Sequence, residues 1–125
     1  MNLIRYSGHY SVRNTLVEPP SSTDSDLFIA FASPGEITSV FRDDESGEWV
    51  AFRLQAVFDF EAVGILKSLL DPLAAAGIPI LAFSSYLTDH VLVKRSEEAR
   101  AVKAWRLAGI LVEPDVTTDR IKRRG

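Results

Sequence analysis

Apolar and polar positions alternate over residues 49–57, with Val50, Phe52, Leu54 and Ala56 on one side and Arg53 and Gln55 on the other. A period of two predicts a strand with one face in a core and one wetter. The period then lengthens. Val63, Leu66, Leu69, Leu70 and Leu73 recur at helical spacing and predict a helix over residues 61–76, with Asp59 at capping distance before it. Gly77 suits the left-handed residue that follows a last helical turn. Pro72 removes a backbone donor inside this stretch, which predicts a kink or a second short helix starting at Asp71. Residues 78–83 and 90–94 read as two more strands, joined by the polar run Ser84-Ser85-Tyr86-Leu87-Thr88-Asp89. Ser96 is positioned to cap a second helix whose apolar face is Val102, Trp105 and Ala108, with Glu97 and Glu98 complementing its dipole. Gly109 ends that helix, and residues 110–112 form a last strand.

The second half thus reads strand, helix, strand, strand, helix, strand. That is the α+β order of a ferredoxin-like fold, with two helices on one face of an antiparallel sheet. The first half supplies strands at residues 10–17, 27–32 and 37–42, separated by a Pro- and Ser-rich loop and the Pro34-Gly35 turn. It has the pattern of a degenerate copy of the same unit, pairing edge to edge with the second half. Strands 27–32 and 78–83 are short of polar residues on both faces, which calls for cover on the second sheet face, for instance by a sheet of another chain. The expected division is an N-terminal half at 1–48, a fuller unit at 49–116 and a basic tail at 117–125, all within one compact domain.

Composition narrows the function classes. Hydrophobic residues at 46% and charged residues at 25% are the balance of a folded, soluble chain. The absence of cysteine excludes a disulfide framework, a thiol nucleophile and any cysteine-ligated metal. The N-terminus has no signal-peptide pattern and no run reaches the ~20 apolar residues of a membrane span, so a cytoplasmic location without membrane contact is expected. Net charge is −3; the last nine residues carry +3 and the preceding 116 carry −6. An acidic body argues against nucleic acid, whose phosphates need a basic face.

The residues that carry a family likeness follow in order. Residues 59–66, Asp-Phe-Glu-Ala-Val-Gly-Ile-Leu, lead into Leu-Ala-Ala-Ala-Gly-Ile-Pro-Ile at 73–80, and then into Ser-Ser-Tyr-Leu-Thr-Asp-His-Val-Leu-Val at 84–93. Together they resemble the ACT domains of the bacterial relatives of the CASTOR arginine sensors. The resemblance is strongest over residues 49–112, looser over 10–42, and does not reach the basic tail. It implies a tandem ACT arrangement, a homodimer, and binding of an amino acid or similar metabolite at an interface between ACT units. The ligand-site residues it implies are Val63, Gly64 and Ile65 at the helix entry, and Ser85, Tyr86, Thr88 and Asp89 in the loop. Lys67 stands where arginine-binding members carry an acidic residue, which removes a counter-charge for a cationic ligand.

Each of these residues also has a structural reading. Gly64 at a helix start lets a ligand approach free amide groups, or merely relieves crowding. Asp89 can hold an ammonium group, or cap the turn into the next strand. Ser85 and Thr88 offer hydroxyls, and Tyr86 can wall a pocket or simply pack. His90 beside Asp89 lacks any nucleophile that would make an acid–base pair catalytic. No glycine-rich phosphate loop, nucleophile elbow or His-Glu-x-x-His helix is present. The expectation is therefore a non-enzymatic regulatory module with no cofactor, no metal and no catalytic residue. A ligand-free assembly or protein-interaction module is the alternative.

Overall fold

The computed structural model describes residues 1–14, 27–55 and 64–115. They form β1 (Asn2–Arg5), β2 (Tyr10–Asn14), β3 (Leu27–Ser33), β4 (Glu36–Arg42), β5 (Trp49–Leu54), α1 (Ile65–Ala75), β6 (Ile80–Ser84), β7 (Asp89–Lys94), α2 (Glu98–Leu107) and β8 (Leu111–Pro114). A short 3₁₀ turn, Arg95–Glu97, precedes α2.

β5 organises the sheet. On one side it pairs antiparallel with β7, which pairs antiparallel with β6, so β5 and β6 run parallel with β7 between them. This is the split βαβ arrangement expected of a ferredoxin-like unit. The other side departs from expectation. β8 does not reach β5; β1 lies between them, antiparallel to β5 and parallel to β8. The first half therefore enters the second half's sheet rather than only abutting its edge.

β1 and β2 share that side of β5. Arg5 faces Phe52, Tyr6 donates its N–H to the Ala51 carbonyl oxygen at 2.9 Å, and Tyr10 faces Trp49. Residues 7–9 bulge out between these contacts, with Gly8 at φ +85°. The positive φ favours glycine, and a Cβ there would lie 2.3 Å from Asp44 Oδ1 and 2.7 Å from Arg42 Nε, so those side chains would have to shift. Arg5 clamps the bulge. Its Nη1 donates to the carbonyl oxygens of Tyr6 and Gly8, while Nε and Nη2 donate to the two carboxylate oxygens of Glu98.

The period-two pattern of β5 distributes its side chains between two cores. Val50, Phe52 and Leu54 face the helices, joined by Leu3, Val91 and Val93, and packed on Leu69 and Leu73 of α1 and Ala101 and Trp105 of α2. Phe52 meets Trp105 edge to face at 4.8 Å. The opposite face was expected to be wetter, yet Ala51 there is fully buried. After pairing with β5 at Tyr10, β2 leaves it for β4, and β4 carries β3. This ribbon folds back over the sheet, so that Tyr10, Val40, Phe28 and Ile29 pack with Ala51, Leu92, Leu81 and Phe83. The cover for the second face comes from the same chain, with no need of a second one.

Two local expectations change. α1 is one helix that runs through Pro72 without restarting at Asp71. The carbonyl that loses its bond belongs to the exposed Ser68, where solvent can satisfy it. Ser96 does not cap α2: it falls inside the 3₁₀ turn, and the residue before the helix is Glu97, with no side-chain cap. The expected strand at 15–17, the residues 56–63 with Asp59, Ala56 and Val63, and the tail from 116 onward lie outside the described residues.

Candidate functional site

Because β5 and β6 run parallel, their C-terminal ends share one end of the sheet. The β6–β7 turn starts at that end, and α1 must start there to return for β6. Topology thus puts Gly64 and Ile65 at the same end of the sheet as the Ser85–Asp89 turn. A direct bond ties the turn to the sheet: Thr88 Oγ1 donates to the Leu54 carbonyl oxygen, the last of β5, at 3.0 Å.

The turn is closed on itself. Ser85 N–H donates to the Thr88 carbonyl oxygen at 2.8 Å, Ser85 Oγ donates to the same oxygen at 2.9 Å, and Thr88 N–H donates to Ser85 Oγ at 3.2 Å. Tyr86 and Leu87 at its tip are 83% and 61% exposed, so Tyr86 does not wall a pocket within one chain. Asp89 is buried at 8% exposure, faces Ser84 across β6 and β7, and accepts its hydroxyl at 2.7 Å. That bond supports the turn-closing role. The Ser85 and Thr88 hydroxyls are both engaged, which leaves the exposed rim and its backbone for a visitor.

The start of α1 is more open. Gly64 occupies the N-cap in the left-handed region at φ +85°, with no side-chain cap and no acidic residue in the first turn. A Cβ there would meet nothing within 4 Å, so crowding is not why glycine stands at this position. Among the described residues no side-chain carboxylate holds the first-turn amide groups, which present partial positive charge. Ile65 is half-buried and packs against the helix-side core. Lys67 points along the exposed face and pairs with Asp71 one turn on, so its charge is directed away from the helix entry. Val63 lies outside the described residues.

A second cluster occupies the other face. His90 of β7 sits in register with Arg53 of β5 and Phe83 of β6. Its ring is stacked with Tyr6 at 6.1 Å and meets the edge of Phe28 at 6.0 Å, while Nε2 lies 3.4 Å from the Tyr6 hydroxyl. Burial, reinforced by the Arg53 guanidinium, lowers the His90 pKa, against smaller opposing effects of Asp89 and a backbone bond at Phe83. Burial likewise raises the Tyr6 hydroxyl and pushes Tyr10, whose hydroxyl donates to the Ser7 carbonyl oxygen, up to about 12. Among the described residues the side-chain hydroxyl within reach of the His90 ring is that of Tyr6, itself raised by burial. Sequence patterning did not single out the cluster, because Phe28, Arg53 and His90 come from three strands and Tyr6 from the segment after β1.

Among the described residues, no group of three or more metal-ligating side chains converges, and no helix is long and apolar enough to cross a membrane.

Two solved structures are similar over most of their length. A protein from Agobacterium tumefaciens aligns with a TM-score of 0.78 at 22% identity, covering 91% of this chain and 92% of its own. A Vibrio cholerae protein of unknown function, described as a possible transport protein, aligns with a TM-score of 0.65 at 21% identity, covering 82% of this chain and 84% of its own. At such identity the likeness speaks for the fold alone. No curated protein matches. Residues 45–106 match the family model described as ACT domain. That segment runs from just before β5 into α2; it holds Gly64 and the Ser85–Asp89 turn but stops short of β8, the strand that β1 separates from β5. The match to this segment, on a sheet with two helices on one face, supports an ACT-domain protein.

Proposed function

We propose that the chain is a non-enzymatic regulatory module that binds an amino acid, or a similar small metabolite with a carboxylate, at an interface between ACT units of two copies. The observation that carries this reading is the helix entry at Gly64. An α-helix start with a left-handed glycine, open space where a side chain would stand, and no acidic residue in its first turn is suited to a ligand carboxylate. The Ser85–Asp89 turn shares that end of the sheet and offers a polar rim. ACT domains are typically regulatory, and the match over residues 45–106 contains both features. A ligand at such an interface acts only as far as it binds one assembly state more tightly than the other.

The test is a thermal-shift and light-scattering series with single amino acids at millimolar concentration. A ligand raises the melting temperature in proportion to its occupancy and shifts the monomer–dimer balance. Gly64→Val, which fills the open space, abolishes that shift. If no amino acid moves either quantity, the sensor reading fails.

One observation favours a second reading, a ligand-free assembly or protein-interaction module. Tyr86 and Leu87 stand exposed side by side at the turn tip, as an anchor for another protein surface would. Under that reading Tyr86→Ala weakens self-association while added metabolites change nothing.

A further inference from the structure

A slot opens on the face away from the helices, between β3 and β6. Among the described residues both strands are edges of the sheet: β3 pairs with β4 alone, and β6 with β7 alone. Four consecutive residues of β3, from Phe28 to Phe31, form one wall, and residues 82–85 form the other, with His90 between them. The volume is about 440 Å³, within the range of small-ligand pockets. Phe28, Phe31 and Phe83 line it, and Phe31 is 51% exposed, a large aromatic ring held at the mouth without cover.

The charges around the slot restrict what can fill it. None of its nine lining residues carries a formal charge apart from the titratable His90. Behind His90 stands Arg53, its guanidinium 5.8 Å above the Tyr6 ring centroid. Among the described residues Arg53 forms no ion pair. A cation entering the slot would lose water, find no carboxylate among the lining residues, and meet the field of Arg53, which outweighs that of Asp89 at His90; the Asp89 carboxylate is buried and already engaged by Ser84. Aromatic rings favour other flat rings by stacking and edge contacts, and the two strand edges offer backbone donors and acceptors at the ring's periphery.

We infer that the β3–β6 slot is a binding site for a small molecule built on a flat aromatic ring and carrying no positive charge. It lies on the face of the sheet away from the helices, shares Ser85 alone with the residues considered at the helix entry and its turn, and does not depend on the reading proposed above.

The experiment uses three probes that share one ring: indole, indole-3-acetate and tryptamine, neutral, anionic and cationic in turn. Each is titrated into the ¹⁵N-labelled full chain and followed by amide chemical shifts. Indole and indole-3-acetate move the amides of Phe28, Ile29, Ala30 and Phe31 together with those of Ala82 and Phe83. Tryptamine binds at least about tenfold more weakly, the step expected of one unfavourable charge contact of roughly that size. Phe31→Ala, a change at an exposed ring that leaves the core intact, weakens indole binding by about tenfold, as loss of an aromatic anchor does. Arg53→Gln narrows the gap between indole-3-acetate and tryptamine while leaving indole unchanged. Absence of shifts in β3 with all three probes overturns the inference. So does tighter binding of tryptamine. Shifts confined to Gly64 and the Ser85–Thr88 turn also overturn it, and would support the helix-entry site instead; conversely, a slot that binds indole survives if no amino acid binds at Gly64.

Discussion

The indole Nε1 of Trp105 donates to the carbonyl oxygen of Leu69 at 2.8 Å, and both residues are fully buried. One side chain of α2 thus reaches the backbone of α1 and fixes how the two helices lie on the sheet. Trp105 also meets Phe52 of β5, so it joins both helices to the central strand. Trp105→Phe removes the bond and leaves a cavity, and the expected loss is about 2–3 kcal/mol. Urea unfolding measures it. A loss below about 0.5 kcal/mol would mean that the helices are held by other contacts.

The clamp on the bulge gives a second expectation. Arg5 and Glu98 form a two-bond pair at 2.7 and 3.2 Å, with side chains 21% and 32% exposed. Partial solvent screening keeps the coupling modest, about 1 kcal/mol. A double-mutant cycle of Arg5→Met and Glu98→Gln reads that coupling. Arg5→Met alone costs more than Glu98→Gln alone, because Arg5 also holds the carbonyls of Tyr6 and Gly8.

Gly8→Ala tests the bulge from its backbone. The substitution combines a left-handed φ with a clash against Asp44 and Arg42, and is expected to cost about 2 kcal/mol or more. Asp44→Ala relieves the nearest contact, so the two changes together cost less than their sum. Simple additivity would show that the Asp44 contact is not what excludes a side chain.

His90 predicts a pH dependence. Its folded-state pKa is lowered, so the unfolded chain binds the proton more readily than the folded one. Stability from this group is complete above the unfolded value near 6.5 and is lost as pH falls through 6.5 towards the depressed folded value. The melting temperature of the wild type should therefore fall between pH 7.5 and 5, and His90→Gln should flatten that fall. Equal slopes for the two proteins would show that His90 titrates normally. Tyr10 acts at the other end: with its hydroxyl pushed to about 12, stability falls as pH rises from 10 to 12, and Tyr10→Phe removes that component.

Much of the second half was legible in the sequence because its signals are local. The alternation of Val50, Phe52 and Leu54, and the helical spacing of Leu69 and Leu73, each place residues in one core through nearest neighbours. β1 was not legible. Its signal is Leu3 and Ile4 alone, and its partners are about 50 and 110 residues away. The same reason hid the fold-back of β3, since an unbroken apolar run such as Phe28 to Ala32 reveals burial but not which surface supplies it. At the candidate site, the resemblance named residues that topology gathers at one end of the sheet. It could not reveal that Ser84 already occupies Asp89, or that Tyr86 points outward.

The wedging of β1 between β5 and β8 has a consequence for how the chain reaches its fold. Among the described residues β8 has no neighbour in the sheet but β1. During synthesis the first strand must wait until β5 has emerged, and the last can dock only once that pair exists. The β1–β8 pairing joins residues more than 100 apart, a non-local contact whose closure entropy favours late formation. A fragment beginning at β5 would hold all but the first four residues of the family-matched segment, yet its last strand would lack the neighbour it has in the whole chain.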